Sequence, residues 1–329
     1  MKTKNLGKLS LLLAVAIILS TFTSRSFADS ILVGSGDSVL RYNSAGQYQG
    51  VYFSDATHLS SGITSITLES NQNYMDVLSG NGSITRYMTL YAGYYLNTPV
   101  TGLNNAKVIY VASGSGFNDV VQQGANQVTL YSEGAINPQT GIASFTPAGP
   151  PGPLFNGITG LQDVVYDSSY GNTFATAGGN ILKNNWQGNS TLTTGNYFDL
   201  ADTSGATYLY ADNATDNVIT KINTTTGVAT PFAYLDSGDT GAGLTIDSSG
   251  NLYVASGTTG GFYEFNSSGT ELMRFGQSQG VVGASDFILV NGLSPAPVVA
   301  TPEPSSFAMF AIGGLLLGGY AWRKKQRTV

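Results

Sequence analysis

A chain of 329 residues with 10% charged residues, 42 glycines and no cysteine has room for one large all-β domain or two smaller ones. The lack of cysteine excludes disulfides, thiolate metal sites, cysteine nucleophiles and lipoprotein acylation. Between Asp29 and Thr301 six basic residues (Arg41, Arg86, Lys107, Lys183, Lys221 and Arg274) stand against nineteen acidic ones, a net charge of −13 that phosphate backbones repel, so nucleic acid is not an expected partner.

Taken in order, residues 1–28 have the three parts of a secretory signal peptide. Lys2, Lys4 and Lys8 supply the positive start, and Leu9 to Leu19 supplies a short apolar run. Ser26-Phe27-Ala28 places small residues where signal peptidase cuts, so cleavage is expected between Ala28 and Asp29. An apolar run of 11 residues is short for a membrane span of about 30 Å.

From Asp29 to Gly292 the chain carries a degenerate repeat, clearest near its end. Gly243-Leu244-Thr245-Ile246 is followed by the turn Asp247-Ser248-Ser249-Gly250 and by Asn251-Leu252-Tyr253-Val254-Ala255-Ser256. Then come Gly261-Phe262-Tyr263-Glu264-Phe265, the turn Asn266-Ser267-Ser268-Gly269, and Glu271-Leu272-Met273-Arg274-Phe275-Gly276. Four short apolar or alternating segments separated by tight polar turns predict a four-stranded meander. Asp or Asn opening each turn accepts backbone hydrogen bonds from two residues on, and the glycine tolerates positive φ at the exit. The same turn recurs at Asn43-Ser44-Ala45-Gly46 and Asn223-Thr224-Thr225-Thr226-Gly227.

Second strands of the unit are expected to start near Ile31, Tyr74, Asn118, Asn172, Thr207 and Asn251, spacings of 43, 44, 54, 35 and 44 residues. A period of about 40–50 residues is that of propeller blades. Third strands follow at Ser38–Tyr42, Ser83–Tyr87, Gln127–Tyr131, Asn180–Lys183 and Val218–Ile222. The region opens on a second strand with no first strand ahead of it. It closes on Ala284 to Val290, a first strand with nothing after it, so the two ends are expected to complete one blade and remove a free edge. The expected fold is an all-β propeller of six blades, seven being the alternative count. The unit from Gly243 to Gly276 resembles an NHL repeat, which implies this class of propeller. Pro147 to Pro153 reads as a loop between blades three and four, or alternatively as a linker between two domains, and 293–301 reads as a Pro-containing linker off the domain.

Candidates for chemistry are sparse. His58, the one histidine, has the type of a general base or metal ligand, but it lacks partners in sequence and reads as a surface residue in the turn before Leu59. Asp212, Asp216, Asp236 and Asp239, with Asn213 and Asn217, offer hard oxygen ligands of the kind that hold Ca²⁺. Asx-rich turns look the same in sequence and are the reading preferred, with no cofactor expected. Tyr87, Tyr91, Tyr94 and Tyr95 form an aromatic patch suited to stacking on sugar rings or to packing between blades. Gly34-Ser35-Gly36 and Gly114-Ser115-Gly116 read as turns rather than phosphate cradles. No convergent catalytic set is visible, so an enzyme is not expected; a secreted propeller hydrolase or lyase with a Ca²⁺-dependent axial site is the alternative.

The tail runs Pro302-Glu303-Pro304, then sixteen uncharged residues from Phe307 to Trp322, then Arg323, Lys324, Lys325 and Arg327. As a helix the apolar run is about 24 Å long. Tyr320 and Trp322 suit an interfacial belt, and the basic cluster is expected to stay cytoplasmic. This order of three elements resembles the PEP-CTERM sorting signal of Gram-negative bacteria, also catalogued as an ice-binding-protein C-terminal domain. The resemblance covers 302–329 and implies processing by an exosortase-type membrane protease. It assigns Pro302, Glu303 and Pro304 as the recognition motif, and the helix with its basic cluster as a transient anchor. The implied route passes from an inner-membrane intermediate to the cell surface or extracellular matrix, with exopolysaccharide or surface proteins as partners. A permanent membrane anchor is the alternative.

Overall fold

The repeat read along the chain is built as strands. The computed structural model describes residues 30–290 except 69–71, 90–92, 113–116, 123–126, 134–144, 149–153, 168–170, 186, 203–206, 214, 259 and 277–285. Compact units are Met1–Gly292 and Leu293–Val329, and all the described residues belong to the first. The expected signal peptide, Ala28 and Asp29, Tyr91, the 293–301 linker and the whole sorting tail lie outside them. Among the described residues there is no helix.

Twenty-four strands form six four-stranded antiparallel sheets among the described residues. The first sheet combines β1 (Ser30–Ser35), β2 (Ser38–Tyr42) and β3 (Tyr48–Ser54) with the last strand of the chain, β24 (Phe287–Val290). The second is β4 (Ile63–Leu68), β5 (Tyr74–Ser79), β6 (Ile84–Met88) and β7 (Tyr94–Val100). The third is β8 (Ala106–Ala112), β9 (Phe117–Gln122), β10 (Gln127–Glu133) and β11 (Phe145–Ala148). The fourth is β12 (Leu161–Asp167), β13 (Asn172–Ala177), β14 (Asn180–Asn184) and β15 (Asn189–Thr193). The fifth is β16 (Tyr197–Asp202), β17 (Tyr208–Asn213), β18 (Val218–Asn223) and β19 (Ala229–Tyr234). The sixth is β20 (Gly241–Ile246), β21 (Leu252–Ser256), β22 (Phe262–Phe265) and β23 (Glu271–Phe275).

The chain ends meet: Ser30 lies opposite Val290 and Val33 opposite Phe287, so β1 and β24 pair over four residues. Cores lie between consecutive sheets. Leu78, Ile84, Ile109 and Tyr131 pack the second against the third. Ile31, Val33 and Tyr42 of the first sheet pack on Tyr253, Phe262 and Phe275 of the sixth, which brings the start and end of the repeat together. The protein is an all-β propeller.

The turns act as the sequence predicts. Asp247 Oδ1 accepts from Ser249 N at 2.8 Å and Asn266 Oδ1 from Ser268 N at 3.0 Å, with Gly250 and Gly269 both at φ +82°. The Pro147–Pro153 loop is corrected at its start. Pro147 sits inside β11, opposite Tyr131, on the outer edge of the third sheet. Proline has no N–H to donate, so an edge strand whose free side needs no partner accommodates it. Pro99 in β7 and Pro231 in β19 occupy outer strands in the same way.

Four of the six basic residues hold one register position. Arg41, Arg86, Lys183 and Lys221 each fall fourth from the expected start of a third strand, in β2, β6, β14 and β18. Arg86 is fully buried, with Nε 2.8 Å and Nη2 2.7 Å from the Asp76 carboxylate, and its guanidinium lies 4.8 Å from the Phe145 ring. Lys221 Nζ lies 4.3 Å from the Tyr208 ring centre and Lys183 Nζ 5.6 Å from Phe174. Cations so placed gain aromatic and carboxylate partners inside the fold.

Candidate functional site: the axial cavity and the connecting loops

The first strand of each sheet (β24, β4, β8, β12, β16 and β20) contributes to the wall of one cavity of about 220 Å³. Five of these strands carry a register shift near their start: at Ile63/Ser65, Ala106/Val108, Leu161/Val164, Tyr197/Leu200 and Gly241/Leu244. A bulge puts an extra residue on one strand and re-aims the side chain there. Asp163, Asp199 and Gly243 fall within these shifts, Ser65 and Val108 are the first residues paired after them, and Asp286 stands just ahead of β24.

These side chains stitch one sheet to the next. Asp286 Oδ2 accepts from Ser65 Oγ at 2.6 Å and from Ile66 N at 3.2 Å, while Oδ1 accepts from Phe287 N at 2.8 Å. Ser65 Oγ accepts from Ile109 N at 3.2 Å. Asp163 Oδ1 accepts from its neighbour Val164 N at 2.7 Å, and Oδ2 from Leu200 N at 2.5 Å. Asp199 occupies the same position, yet its carboxylate has no hydrogen bond among the described residues. Asp212 of β17 is fully buried beside it; Oδ2 accepts from Gly241 N at 3.1 Å and Oδ1 has no partner among the described residues.

No basic residue lines this cavity, and Asp163, Asp199 and Asp286 in its wall, with Asp212 beside them, hold protons more tightly than free carboxylates. Burial, with Asp212 and Asp286 nearby, pushes Asp199 up from 3.8 to about 7. Burial raises Asp286 to about 6 against the opposing pull of Ser65 and two backbone N–H groups. Asp212 rises to about 6 by burial, lowered in part by Gly241 N–H and raised again by Asp239. Asp163 is raised by burial and by Asp199, against the hydrogen bonds from Leu200 and Val164. Carboxyl groups raised towards neutrality, as Asp199 is, have the property a cleft needs for acid–base work. Among the described residues no group of three or more His, Asp or Glu is arranged to hold a metal ion.

The four aspartates weighed in sequence between Asx turns and Ca²⁺ ligation take separate roles. Asp239 accepts from Ser256 Oγ at 2.7 Å, Thr240 N at 2.9 Å, Thr258 N at 3.3 Å and the Tyr263 hydroxyl at 2.6 Å. Burial raises its pKa, and these bonds outweigh burial and leave it below the ordinary value. Asp236 pairs with Arg274, which also holds Glu271 at 2.6 and 2.8 Å. Asp216 caps a turn with Asn213. Asp212 alone stands next to the cavity group.

His58 has more company than its sequence neighbours suggested. Its Nδ1 lies 2.7 Å from Asp55 Oδ2, and its ring stacks on Tyr95 at 4.0 Å and 9°. The Tyr87 hydroxyl donates to the same Asp55 oxygen at 3.1 Å. The tyrosine patch is therefore divided: Tyr87 is buried, Tyr95 lies against His58, and Tyr94 is 65% exposed. Gly36 sits in the β1–β2 turn as read, at φ +60°, whereas Gly34 lies within β1 opposite Val39, and Gly114-Ser115-Gly116 lies outside the described residues.

Asp163, Asp199 and Asp286 do not stand out in sequence. Each is a lone aspartate in an apolar segment, and they are far apart along the chain. One signal was present: Asp163-Val164-Val165, Asp199-Leu200-Ala201 and Asp286-Phe287-Ile288 repeat an aspartate followed by two apolar residues at the start of a first strand.

Residues 300–325 match the family model described as the PEP-CTERM protein-sorting motif. No curated protein sequence matches the chain. Solved structures share the fold. A chain in the crystal structure of a nidogen/laminin complex has a TM-score of 0.64 at 12% identity, covering 80% of this chain and 98% of that one. A Bacteroides caccae protein of unknown function has a TM-score of 0.59 at 12% identity, covering 80% and 100%. At these identities the likeness is one of fold alone. The chain thus carries a PEP-CTERM protein-sorting motif behind an all-β propeller.

Proposed function

We propose that the chain is an exported, surface-sorted binding protein, with six four-stranded blades as its binding module. Its first 28 residues serve as a cleaved signal peptide, and the segment from Pro302 to Val329 as a sorting address with a transient membrane helix. The observation that carries this is the motif match at 300–325. A tail of this kind implies export, sorting to the bacterial cell surface and processing by exosortase-type machinery. Pro302, Glu303 and Pro304 are its recognition triplet, Arg323, Lys324, Lys325 and Arg327 its cytoplasmic stop, and the extracellular matrix of a Gram-negative cell its destination. A non-enzymatic role is supported by the way His58, Asp236 and Asp239 are bound into the fold's own hydrogen bonds. Replacing Pro302, Glu303 and Pro304 by alanine and fractionating cells tests the address. The chain should accumulate at the inner membrane; unchanged delivery to the surface would overturn the reading.

One observation favours a second reading, a hydrolase or lyase: the carboxylates of the axial cavity with Asp199 near neutrality. Asp199→Asn separates the two, since it should abolish turnover of any substrate and leave surface binding intact.

A further inference from the structure

The fifth sheet carries a surface row unlike that of the first sheet. One lateral row crosses its four strands in register: Tyr197 lies opposite Asn213, Asn213 opposite Val218, and Val218 opposite Tyr234. The corresponding row of the first sheet is Ser35, Ser38 and Ser54. The propeller fold is therefore satisfied by small hydroxyl residues at this place, and packing does not demand a tyrosine. Tyr234 is nevertheless there and 66% exposed. Beside it runs an open groove of about 420 Å³, with Thr220, Thr230, Asn213 and Asp216 among its walls and no basic residue in its lining.

We propose that this groove binds a neutral polysaccharide chain, with Tyr234 stacking on a sugar ring and Asn213, Asp216 and Thr230 holding its hydroxyls. The proposal deepens the surface-binding reading and rests on it. An exposed, rigid aromatic ring beside hydroxyl, amide and carboxylate groups matches the alternation of apolar ring faces and hydroxyl edges on a neutral sugar. Charge selects the class. Asp216 in the groove and a net charge of −13 between Asp29 and Thr301 repel uronic-acid or sulfated polymers.

The test is affinity electrophoresis of the full chain through gels containing soluble neutral polysaccharides (dextran, mixed-linkage β-glucan, xylan or galactomannan) and, as the charged arm, polygalacturonate. The wild type should be retarded by at least one neutral polymer and not by polygalacturonate. Tyr234→Ala should weaken that retardation about tenfold or more, the scale of one lost aromatic contact with its buried area. Tyr94→Ala, an equally exposed tyrosine on the second sheet, should leave it unchanged. Tyr234 is on the surface, so equal melting temperatures for the two variants confirm that folding is not read instead. Unaltered binding by Tyr234→Ala overturns the site and leaves surface binding standing. No retardation by any neutral polymer, or preference for polygalacturonate, overturns the ligand class. Neither result touches the sorting reading, which cell fractionation tests separately.

Discussion

Asp199 differs from its two counterparts in one respect: Asp163 and Asp286 each accept hydrogen bonds from the next sheet, and Asp199 does not. Burial without such bonds disfavours the charged form, and with the charges of Asp212 and Asp286 nearby it carries the Asp199 pKa up to about 7. Asp286 and Asp212, at about 6, follow the same logic with partial relief. A carboxyl group whose pKa is raised on folding binds its proton more tightly in the native state. Its contribution to stability is then fully present below the unfolded value of 3.8 and is lost as pH rises through the folded value. The propeller should accordingly melt at a lower temperature at pH 8 than at pH 5, with the fall concentrated between pH 4 and about 7. Scanning calorimetry across that range reads the effect, and Asp199→Asn should flatten it. A melting temperature that climbs from pH 5 to pH 8 would contradict the protonated cavity.

At the scale of elements, the turn glycines do two jobs. Gly269 sits at φ +82°, and a Cβ there would also collide with the carbonyl oxygen of Phe232 on the outer strand of the preceding sheet. Outer-strand residues Phe275, Phe53 and Leu192 lie equally close over Gly46, Gly93 and Gly227, so these turns double as contacts between sheets. Gly36, at φ +60°, has open space around it. Gly36→Ala should therefore cost only the left-handed backbone term of about 1 kcal/mol. Gly269→Ala should cost about 3 kcal/mol or more, because strain and collision add. Urea denaturation of the two variants compares them, and equal costs would mean that Phe232 yields without penalty.

The same turns explain how much of the fold could be read in advance. Asp247, Asn266 and Asn43 each open a turn by a local hydrogen bond, which is a property of adjacent residues and so visible in sequence. Second strands start within one residue of the expected positions: Ser30 for Ile31, Tyr74 for Tyr74, Phe117 for Asn118, Asn172 for Asn172, Tyr208 for Thr207 and Leu252 for Asn251. Pro147 reads as loop in sequence because proline usually breaks strands; an outer edge removes that objection. The axial aspartates were not legible because their convergence is made by ring geometry and by bulges that shift the alternation. Asp212 and Asp216 looked like one ligand cluster because they are close in sequence. The end of β17 falls between them, and only Asp212 points among buried groups.

For the whole molecule, charge and topology belong together. Arg86, Lys183 and Lys221 pack on aromatic rings, Arg41 donates to Ser30 at 3.1 Å, and Arg274 is held by Asp236 and Glu271, leaving Lys107 as an exposed base among the described residues. The region from Asp29 to Thr301 carries a net charge of −13, which favours solubility and disfavours polyanionic partners. The ends of the repeat pair with each other at Ser30 and Val290, so the propeller completes its first sheet without residues 293–329. A domain that closes this way can lose its tail and keep its fold, which is what a sorting address removed in transit requires. Intact mass spectrometry of the protein recovered from the cell surface tests this most directly. The mature chain should begin at Asp29 and lack Phe307 to Val329; a surface-exposed chain that retains Phe307 to Val329 would contradict the detachable address.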